Sequence, residues 1–307
     1  MDQGRVNGVS FDIAVFTNLT RDHLDYHGDM QAYAAAKKKL FAWDGLKIAV
    51  LNRDDAFGAE MAKELKAQGK RVLTYGLEKA ITNDDDISVN SLELTEHGMR
   101  LEVKTPVGGA VISAGVVGRF NAYNLLAVLA TLLASDISLD DAVKVLSTLK
   151  PVAGRMQQYG GGVMPLVVID YAHTPDALEQ VLKSLRAQTK GQLICVFGCG
   201  GDRDSGKRPL MGKVASDIAD KVIVTSDNPR GELPAEIIKA VMTGVKQNAI
   251  SIENRADAIA HAIKNAQAGD VILLAGKGHE NYQEIAGVKY PFSDIETAQR
   301  ILQERAA

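Results

Sequence analysis

The sequence predicts an α/β protein made of parallel sheets, and three observations support this fold class. Apolar runs of strand length alternate with amphipathic stretches of helix length, the pattern of a parallel sheet covered by helices. Near the middle of the chain a proline and a glycine in 150–154 interrupt the helical pattern, which predicts a linker between two domains. In the second half, polar and glycine-rich motifs follow the strands, and ligands bind at the carboxyl ends of parallel strands.

Composition limits the classes of function. The chain has 307 residues, enough for two domains with their own cores, and 46% hydrophobic against 24% charged residues is typical of a globular protein. A formal net charge of −3 gives no electrostatic basis for a nucleic-acid partner or a membrane surface. The longest apolar run, 125–134, is too short to cross a bilayer, and no leader-like segment opens the chain. We expect a cytoplasmic protein.

The first half, 1–150, combines a strand-helix series with a region of hairpins. From 87 to 117 short alternating segments are separated by glycine-containing turns, which predicts antiparallel hairpins. The predicted strands before that region are 11–17, 47–51 and 71–75, and the predicted helices of this half are 29–42, 54–68, 121–134 and 139–149.

The second half, 151–307, repeats one unit of a strand, a loop and a helix. The predicted strands are 166–170, 192–198, 221–225 and 270–275. Because their carboxyl ends meet at one edge of a parallel sheet, we expect the loops that follow them to form a ligand site.

Two motifs of the first half leave alternatives open. The segment 17–28 follows a strand and is rich in histidine and aspartate, including His23, so it fits either a metal or phosphate site or a solvated helix-capping loop. Lys37 lies three or four residues from Tyr33, Leu40 and Phe41 and so borders an apolar face, where a snorkelling surface lysine is the ordinary interpretation.

The asparagines Asn121 and Asn124 are one helical turn apart. They present amides that suit a base or a phosphate, and they equally suit N-terminal caps, which is the interpretation that the residues alone favour.

The loops of the second half carry groups suited to a small charged ligand. Asp170 ends one predicted strand, and Arg203 stands where a dinucleotide-binding loop has its third glycine. In 225–231, Asp227 and Arg230 suit the ammonium and the carboxylate of an amino acid, although these residue types also make plain turns. A last glycine-rich loop, 275–280, carries further polar groups. The convergence of these loops argues for a ligand site more strongly than any single motif.

These motifs, in this order, resemble the Mur ligases of peptidoglycan synthesis. The specific segments are 18–28, 170–176, 198–210, 227–230 and 276–280. The string Asp227-Asn-Pro-Arg230 is similar to that of members which add diaminopimelate rather than lysine. The resemblance implies the C-terminal part of a P-loop-type ATPase domain over 1–150. It also implies a Rossmann-like parallel-sheet domain over 151–307 that binds the incoming amino acid.

The resemblance also implies roles for particular residues. His23 and Lys37, the latter carried as a carbamate, would be catalytic ligands of Mg²⁺. The residues implied for the UDP-N-acetylmuramoyl dipeptide are Gln3 and Arg5; those for ATP are Asn121, Asn124, Arg155, Asp170 and His173; those for meso-diaminopimelate are Arg203, Asp227, Asn228, Arg230, Gly276 and Glu280.

The implied reaction is ATP-dependent amide formation. A D-glutamyl carboxylate attacks the γ-phosphate to give an acyl phosphate, and the amine of diaminopimelate then displaces phosphate. The phosphate-binding string Gly-x-x-x-x-Gly-Lys-Ser/Thr does not occur in the sequence. We therefore expect a fragment that does not catalyse ligation alone.

Two alternatives of other kinds stay open at this point. One is a non-catalytic protein that binds diaminopimelate or muropeptides, and the other is a ligase similar to folylpolyglutamate synthetases. The string at 227–230 argues against the second alternative. A nicotinamide-dependent dehydrogenase is disfavoured because Arg203 breaks the glycine fingerprint.

Overall fold

The structure is a computed structural model that describes residues 4–78, 86–95, 98–246 and 249–306. It divides into two compact units. The first consists of Met1–Thr20 and Tyr26–Lys150, and the second of Arg21–Asp25 and Pro151–Ala307. The assignment of 1–150 to ATP binding and of 151–307 to amino-acid binding stays a prediction.

The elements up to Lys150 largely follow the predicted pattern. In chain order they are β1 (Ile13–Phe16), α1 (Leu24–His27), α2 (Met30–Lys38), β2 (Ile48–Asn52), α3 (Ala56–Ala67), β3 (Arg71–Gly76), β4 (Asp86–Thr95), β5 (Gly98–Thr105), β6 (Gly108–Ala114), α4 (Arg119–Ala134) and α5 (Leu139–Ser147). Helix α2 ends at Lys38, earlier than predicted, and the following residues form turns.

The first unit contains one mixed sheet with the order β1-β2-β3-β4-β5-β6. Strands β1 to β4 run parallel, whereas β4, β5 and β6 pair as the predicted antiparallel hairpins. Because β4 pairs parallel with β3 and antiparallel with β5, it joins the hairpins to the parallel part of the sheet. Strand β2 is buried along its whole length, and the apolar face of α4 packs in the same core cluster, which excludes water from this part of the sheet.

The elements after Lys150 build the second unit. They are β7 (Gln157–Gly160), β8 (Leu166–Asp170), α6 (Pro175–Arg186), β9 (Leu193–Phe197), α7 (Lys207–Ile218), β10 (Lys221–Val224), α8 (Pro234–Met242), β11 (Ala249–Ser251), α9 (Arg255–Asn265), β12 (Val271–Ala275), β13 (Tyr282–Ile285), β14 (Val288–Pro291) and α10 (Asp294–Ala306).

The sheet of the second unit has the order β11-β10-β9-β12-β8-β7. All neighbours are parallel except β7, which pairs antiparallel to β8 at one edge. Strands β9 and β12 are buried throughout, as expected for central parallel strands, so they read as continuous apolar runs in the sequence. The predicted α/β fold class with parallel sheets is thus confirmed.

Four strands were not predicted, and each lacks the apolar signal on which the prediction rests. Strand β7 reads Gln-Gln-Tyr-Gly, β11 has three residues, and β13 and β14 form a two-stranded hairpin in which β13 is largely half-buried and β14 is exposed.

None of the helices in the described ranges combines the length and the apolar character that crossing a bilayer requires.

Candidate functional site

The second sheet brings the carboxyl ends of its central strands to one level. Ala275 at the end of β12 pairs with Asp170 at the end of β8 and with Phe197 at the end of β9. Phe197 in turn pairs with Val224, the last residue of β10. The loops that follow these strands therefore start from one edge, as the sequence predicted.

Asn228 connects the loop after β10 with the loop after β12. Its Nδ2 donates to Glu280 Oε2 at 2.9 Å, and its Oδ1 accepts from Lys277 Nζ at 3.1 Å. Lys277 Nζ also donates to Glu280 Oε2 at 3.1 Å, and the Lys277 side chain is completely buried. The backbone N–H of Glu284 donates to Asn228 Oδ1 at 2.9 Å. We call Asn228, Lys277 and Glu280 the Asn228 network.

Arg230 lies beside this network. Its Nη1 donates to the carbonyl of Gly201 at 2.8 Å, and its Nε lies 3.5 Å from Glu284 Oε2. A Cβ at Gly201 would lie 1.9 Å from the carbonyl oxygen of Pro229, so only glycine permits this approach of the two loops. The guanidinium is thus oriented before any ligand arrives.

Asp227 is buried next to Gly276. A Cβ on Gly276 would lie 2.7 Å from Asp227 Oδ2, and the φ of Gly276 is +112°, so this position requires glycine for two reasons. The backbone carbonyl of Asp227 accepts from Gln283 Nε2 at 2.6 Å. The structure therefore brings together Asp227, Asn228, Arg230, Gly276 and Glu280, and their assignment to an amino-acid ligand stays a prediction.

Arg255 organises this sheet edge, although no motif in the sequence indicates its role. It forms a bidentate pair with Asp294, with Nε–Oδ1 and Nη2–Oδ2 distances of 2.8 and 2.7 Å, and both side chains are fully buried. Its Nη2 also donates to the carbonyl of Ala275 at 2.9 Å, and its Nη1 lies 4.0 Å from Asp227 Oδ2. Burial opposes the charged form, but the Asp294 carboxylate outweighs it and raises the pKa of Arg255 above its usual range.

Arg203 is placed differently from the other predicted diaminopimelate residues. Its side chain is more than half exposed, and its Nη1 lies 3.7 Å from Asp25 Oδ2 within the second unit. Nearby, the buried Arg208 pairs with Glu232 at 2.7 Å. The described contact of Arg203 is thus with Asp25 and not with a residue of the Asn228 network.

Asp170 makes two backbone contacts. Its Oδ1 accepts from the N–H of Ala172 at 2.8 Å and its Oδ2 from the N–H of Met156 at 2.9 Å. Burial raises its pKa, although these hydrogen bonds and Arg155 act in the opposite direction. Asp170 thus fastens the chain that precedes β7 to the end of β8, whatever else it binds.

Arg155 and His173 surround the ring of Tyr171. The guanidinium of Arg155 is 4.8 Å from the ring centroid, and the ring of His173 meets it edge-on at 4.8 Å. His173 Nδ1 lies 2.8 Å from the Tyr171 carbonyl, and its Nε2 lies 3.7 Å from Asp22 Oδ2. The structure thus places these two residues, predicted for ATP, close to Asp170.

His23 has a left-handed backbone and an exposed side chain next to Asp22. Its φ is 55°, its N–H donates to Asp22 Oδ1 at 2.9 Å, and its Nε2 lies 3.5 Å from Asp22 Oδ2. Burial would raise the pKa of Asp22, but the contact with His173 and the proximity of His23 lower it to about 2. Asp22 therefore stays ionised at neutral pH.

Lys37 and Lys38 have different surroundings in the first unit. Lys37 Nζ donates to the Asn18 carbonyl at 3.3 Å and lies 5.0 Å from the centroid of the Tyr33 ring. Lys38 Nζ pairs instead with Glu64 at 2.6 Å. Of these two lysines, only Lys37 makes these contacts with the segment after β1 and with an aromatic ring.

The interpretation of Asn121 and Asn124 as helix caps was wrong. The N-cap of α4 is Gly118, which makes no side-chain capping bond. Asn121 Nδ2 donates to the carbonyl of Val117 at 2.8 Å, and Asn124 Nδ2 donates to Asn121 Oδ1 at 3.0 Å. The two amides are linked to each other in the first turns of the helix.

The remaining predicted residues lie near the amino terminus. Arg5 is within the described ranges, whereas Gln3 lies outside them.

Among the described residues, no three His, Cys, Asp or Glu side chains form a group suited to a metal ion.

Taken together, the two units define an α/β protein with largely parallel sheets and a candidate ligand site at one sheet edge. Two family models match this chain: the Mur ligase middle domain over residues 1–132 and the Mur ligase glutamate ligase domain over residues 154–278. The chain belongs to the Mur ligase family.

Relatives with known names agree with this family. The chain is 54% identical over 305 residues to UDP-N-acetylmuramoyl-L-alanyl-D-glutamate–2,6-diaminopimelate ligase of Chromobacterium violaceum, covering 98% of this chain and 61% of that relative. It therefore spans about three fifths of the length of that protein.

Solved structures are similar as well. A structure of UDP-N-acetylmuramoyl-L-alanyl-D-glutamate–2,6-diaminopimelate ligase has a TM-score of 0.62 at 42% identity, covering 100% of this chain and 63% of that chain. Folylpolyglutamate synthase of Mycobacterium tuberculosis has a TM-score of 0.70 at 21% identity, covering 86% of this chain and 61% of that chain. The second likeness concerns the fold alone.

The Arg255–Asp294 pair gives a test of stability. Arg255→Met leaves the buried Asp294 carboxylate unpaired, and we expect the free energy of unfolding to fall by about 3–5 kcal/mol. The double variant Arg255→Met/Asp294→Leu removes both charges, so it should lose much less. Urea denaturation followed by circular dichroism measures both changes.

Arg300→Met is the matched control, because Arg300 forms an exposed pair with Glu304 in α10 and should leave stability almost unchanged. Equal losses in the single and the double variant would contradict an electrostatic role of the pair.

Proposed function

We propose that this chain supplies the amino-acid-binding part and part of the ATP-binding machinery of a ligase. That ligase adds meso-2,6-diaminopimelate to UDP-N-acetylmuramoyl-L-alanyl-D-glutamate. The observation that carries the proposal is the placement of Arg230 and Asp227 beside the Asn228 network, which contains Glu280, at one sheet edge. The name of the relative from C. violaceum supports the same substrates.

The charges at this edge suit the free end of diaminopimelate. That end carries a carboxylate and an ammonium group, whereas the end of a lysine side chain carries an ammonium alone. The described hydrogen bond of the Arg230 side chain uses Nη1, and the planar guanidinium has further donors for a carboxylate. The carboxylates of Asp227 and Glu280 suit the ammonium. Arg203 is a further candidate for the ligand carboxylate.

Magnesium and ATP belong to the proposed chemistry because the reaction forms an acyl phosphate. His23 and a carbamate on Lys37 would hold the metal, while Asn121, Asn124, Arg155, Asp170 and His173 would contact the nucleotide. When bound, Mg²⁺ neutralises charge on phosphate oxygens. The described protein side chains fit such an ion only if the carbamate and phosphate oxygens complete its ligands.

The surroundings of Lys37 set a condition on the carbamate. The carbonyl of Asn18 and the face of Tyr33 both favour a cation at Nζ. To form the carbamate, the neutral amine adds to carbon dioxide and loses a proton, which replaces a positive by a negative group. We propose that the carbamate becomes stable only when a divalent cation is present.

The protein groups would act mainly by positioning and charge stabilisation. The D-glutamyl carboxylate and the amine of diaminopimelate would be held in line with the reacting phosphate and carbonyl atoms. Gln3 and Arg5 are the residues proposed for the UDP-sugar dipeptide. That the chain alone does not turn over ATP stays a prediction, based on the phosphate-binding string that these 307 residues lack.

Binding of the amino acid tests the proposal. We expect isothermal titration calorimetry of the 307-residue chain to show meso-diaminopimelate binding at least tenfold more tightly than L-lysine or L-glutamate, about 1.4 kcal/mol. Arg230→Met should remove most of this preference, because it deletes the partner of the ligand carboxylate. Arg300→Met, in an exposed ion pair of α10, is the control and should bind as the wild type does.

Tighter binding of L-glutamate would favour the folylpolyglutamate-like alternative. Equal binding of lysine and diaminopimelate would contradict the proposed substrate. Ligand binding in a protein whose complete native form never hydrolyses ATP would favour the non-catalytic alternative.

The carbamate on Lys37 has its own test. In ¹³C-bicarbonate buffer with Mg²⁺ and ATP, whose phosphate oxygens complete the ligands of the metal, we expect a carbamate resonance in the ¹³C NMR spectrum of the wild-type chain. Lys37→Arg should abolish it, because a guanidinium does not form this carbamate. Lys38→Arg is the matched control and should retain the resonance, since Lys38 pairs with Glu64. Loss of the signal in the Lys38 variant alone would place the carbamate on Lys38 and contradict its assignment to Lys37.

A further inference from the structure

We propose that Lys277 is a positioning residue that makes the pocket prefer a zwitterionic ligand end over a cationic one. It would do so by holding Asn228 and Glu280 and by balancing the charge of Glu280. This inference rests on the proposed function, since it concerns the same amino-acid site.

Lys277 contacts two residues of the proposed site from the protein interior. Its side chain is fully buried, yet its ammonium reaches Asn228 Oδ1 and Glu280 Oε2, both at 3.1 Å. The centroid of the Tyr282 ring lies 5.7 Å from Lys277 Nζ. A buried ammonium is costly unless it is paired and hydrogen-bonded, and these contacts supply both. Lys277 therefore fixes two side chains that are proposed to bind the ligand.

The backbone on either side makes this burial possible. Gly276 has a φ of +112° and Gly278 a φ of +52°. A Cβ on Gly278 would lie 2.8 Å from both the Gly154 carbonyl and the Tyr171 Cβ. Because neither flanking residue carries a side chain, the loop after β12 runs close to its neighbours and the Lys277 side chain is directed inward.

The charge balance of the site leads to the prediction about specificity. Lys277 compensates Glu280, and Arg255 compensates Asp294. Asp227 lies 4.0 Å from Arg255, and Arg230 lies 3.5 Å from Glu284. Because both contacts are longer than the pairs above, Asp227 and Arg230 are the groups proposed to bind a ligand ammonium and a ligand carboxylate. This arrangement matches a ligand end with both charges. Without Lys277 the site gains one uncompensated negative charge, which favours a ligand end that carries an ammonium alone.

The experiment compares binding of meso-diaminopimelate and L-lysine to the whole chain by calorimetry. In Lys277→Met we expect the ratio of the two affinities to fall at least tenfold towards lysine. In Lys277→Met/Glu280→Gln the excess charge is gone, and the ratio should recover at least threefold relative to the single variant. Lys289→Met is the matched control, since it removes an exposed lysine near the same Tyr282 ring and should leave the ratio unchanged.

If Lys277 had a purely structural role, its loss would weaken the binding of both ligands equally. An unchanged ratio of the two affinities in Lys277→Met would therefore overturn the inference. If that variant does not fold, Glu280→Gln replaces it. This variant leaves Lys277 uncompensated, so it should disfavour lysine more than diaminopimelate, and the opposite shift would overturn the inference. A wild-type chain that binds neither ligand would overturn the proposed function itself, and this inference with it.

Discussion

The buried pair of Arg255 and Asp294 is the interaction on which the candidate site depends. A single guanidinium binds the first residue of α10, donates to the carbonyl at the end of β12 and lies within 4.0 Å of Asp227. Parallel strands supply no hydrogen bonds beyond their last residues, so the loops that follow need other partners. Arg255 supplies them for the two loops that carry most of the predicted ligand groups.

A second constraint is charge. The edge concentrates several ionised side chains in a partly buried region, and each isolated charge there would be costly. Short ion pairs within the protein compensate Asp294 and Glu280, whereas Asp227 and Arg230 make longer contacts of 4.0 and 3.5 Å with Arg255 and Glu284. Asp227 and Arg230 are therefore the groups best placed for a ligand. The positions of Asp227 and Arg230 therefore match the two opposite charges of the proposed ligand end. A zwitterionic end completes it without adding net charge.

Much of this could be predicted from the sequence, because the relevant signals are local. The buried strands β2, β9 and β12 appear as apolar runs, and the ligand groups follow strands directly. The role of Arg255 had no such signal: it follows the capping residue Asn254 like an ordinary helix-start residue, and its partner lies 39 residues later. Lys277 was equally hidden, since lysine in a glycine-rich loop usually indicates an exposed or phosphate-binding group. The interpretation of Asn121 and Asn124 as caps was wrong because Gly118 is the N-cap of this helix, three and six residues before them.

The most direct test of the central claim is a crystal structure of this chain with bound meso-diaminopimelate. We expect a ligand carboxylate within about 3.2 Å of the Arg230 guanidinium, and the neighbouring ammonium within the same distance of Asp227 or Glu280. A ligand bound away from the loops after β10 and β12 would contradict the account. So would a ligand in those loops whose carboxylate has no contact with Arg230.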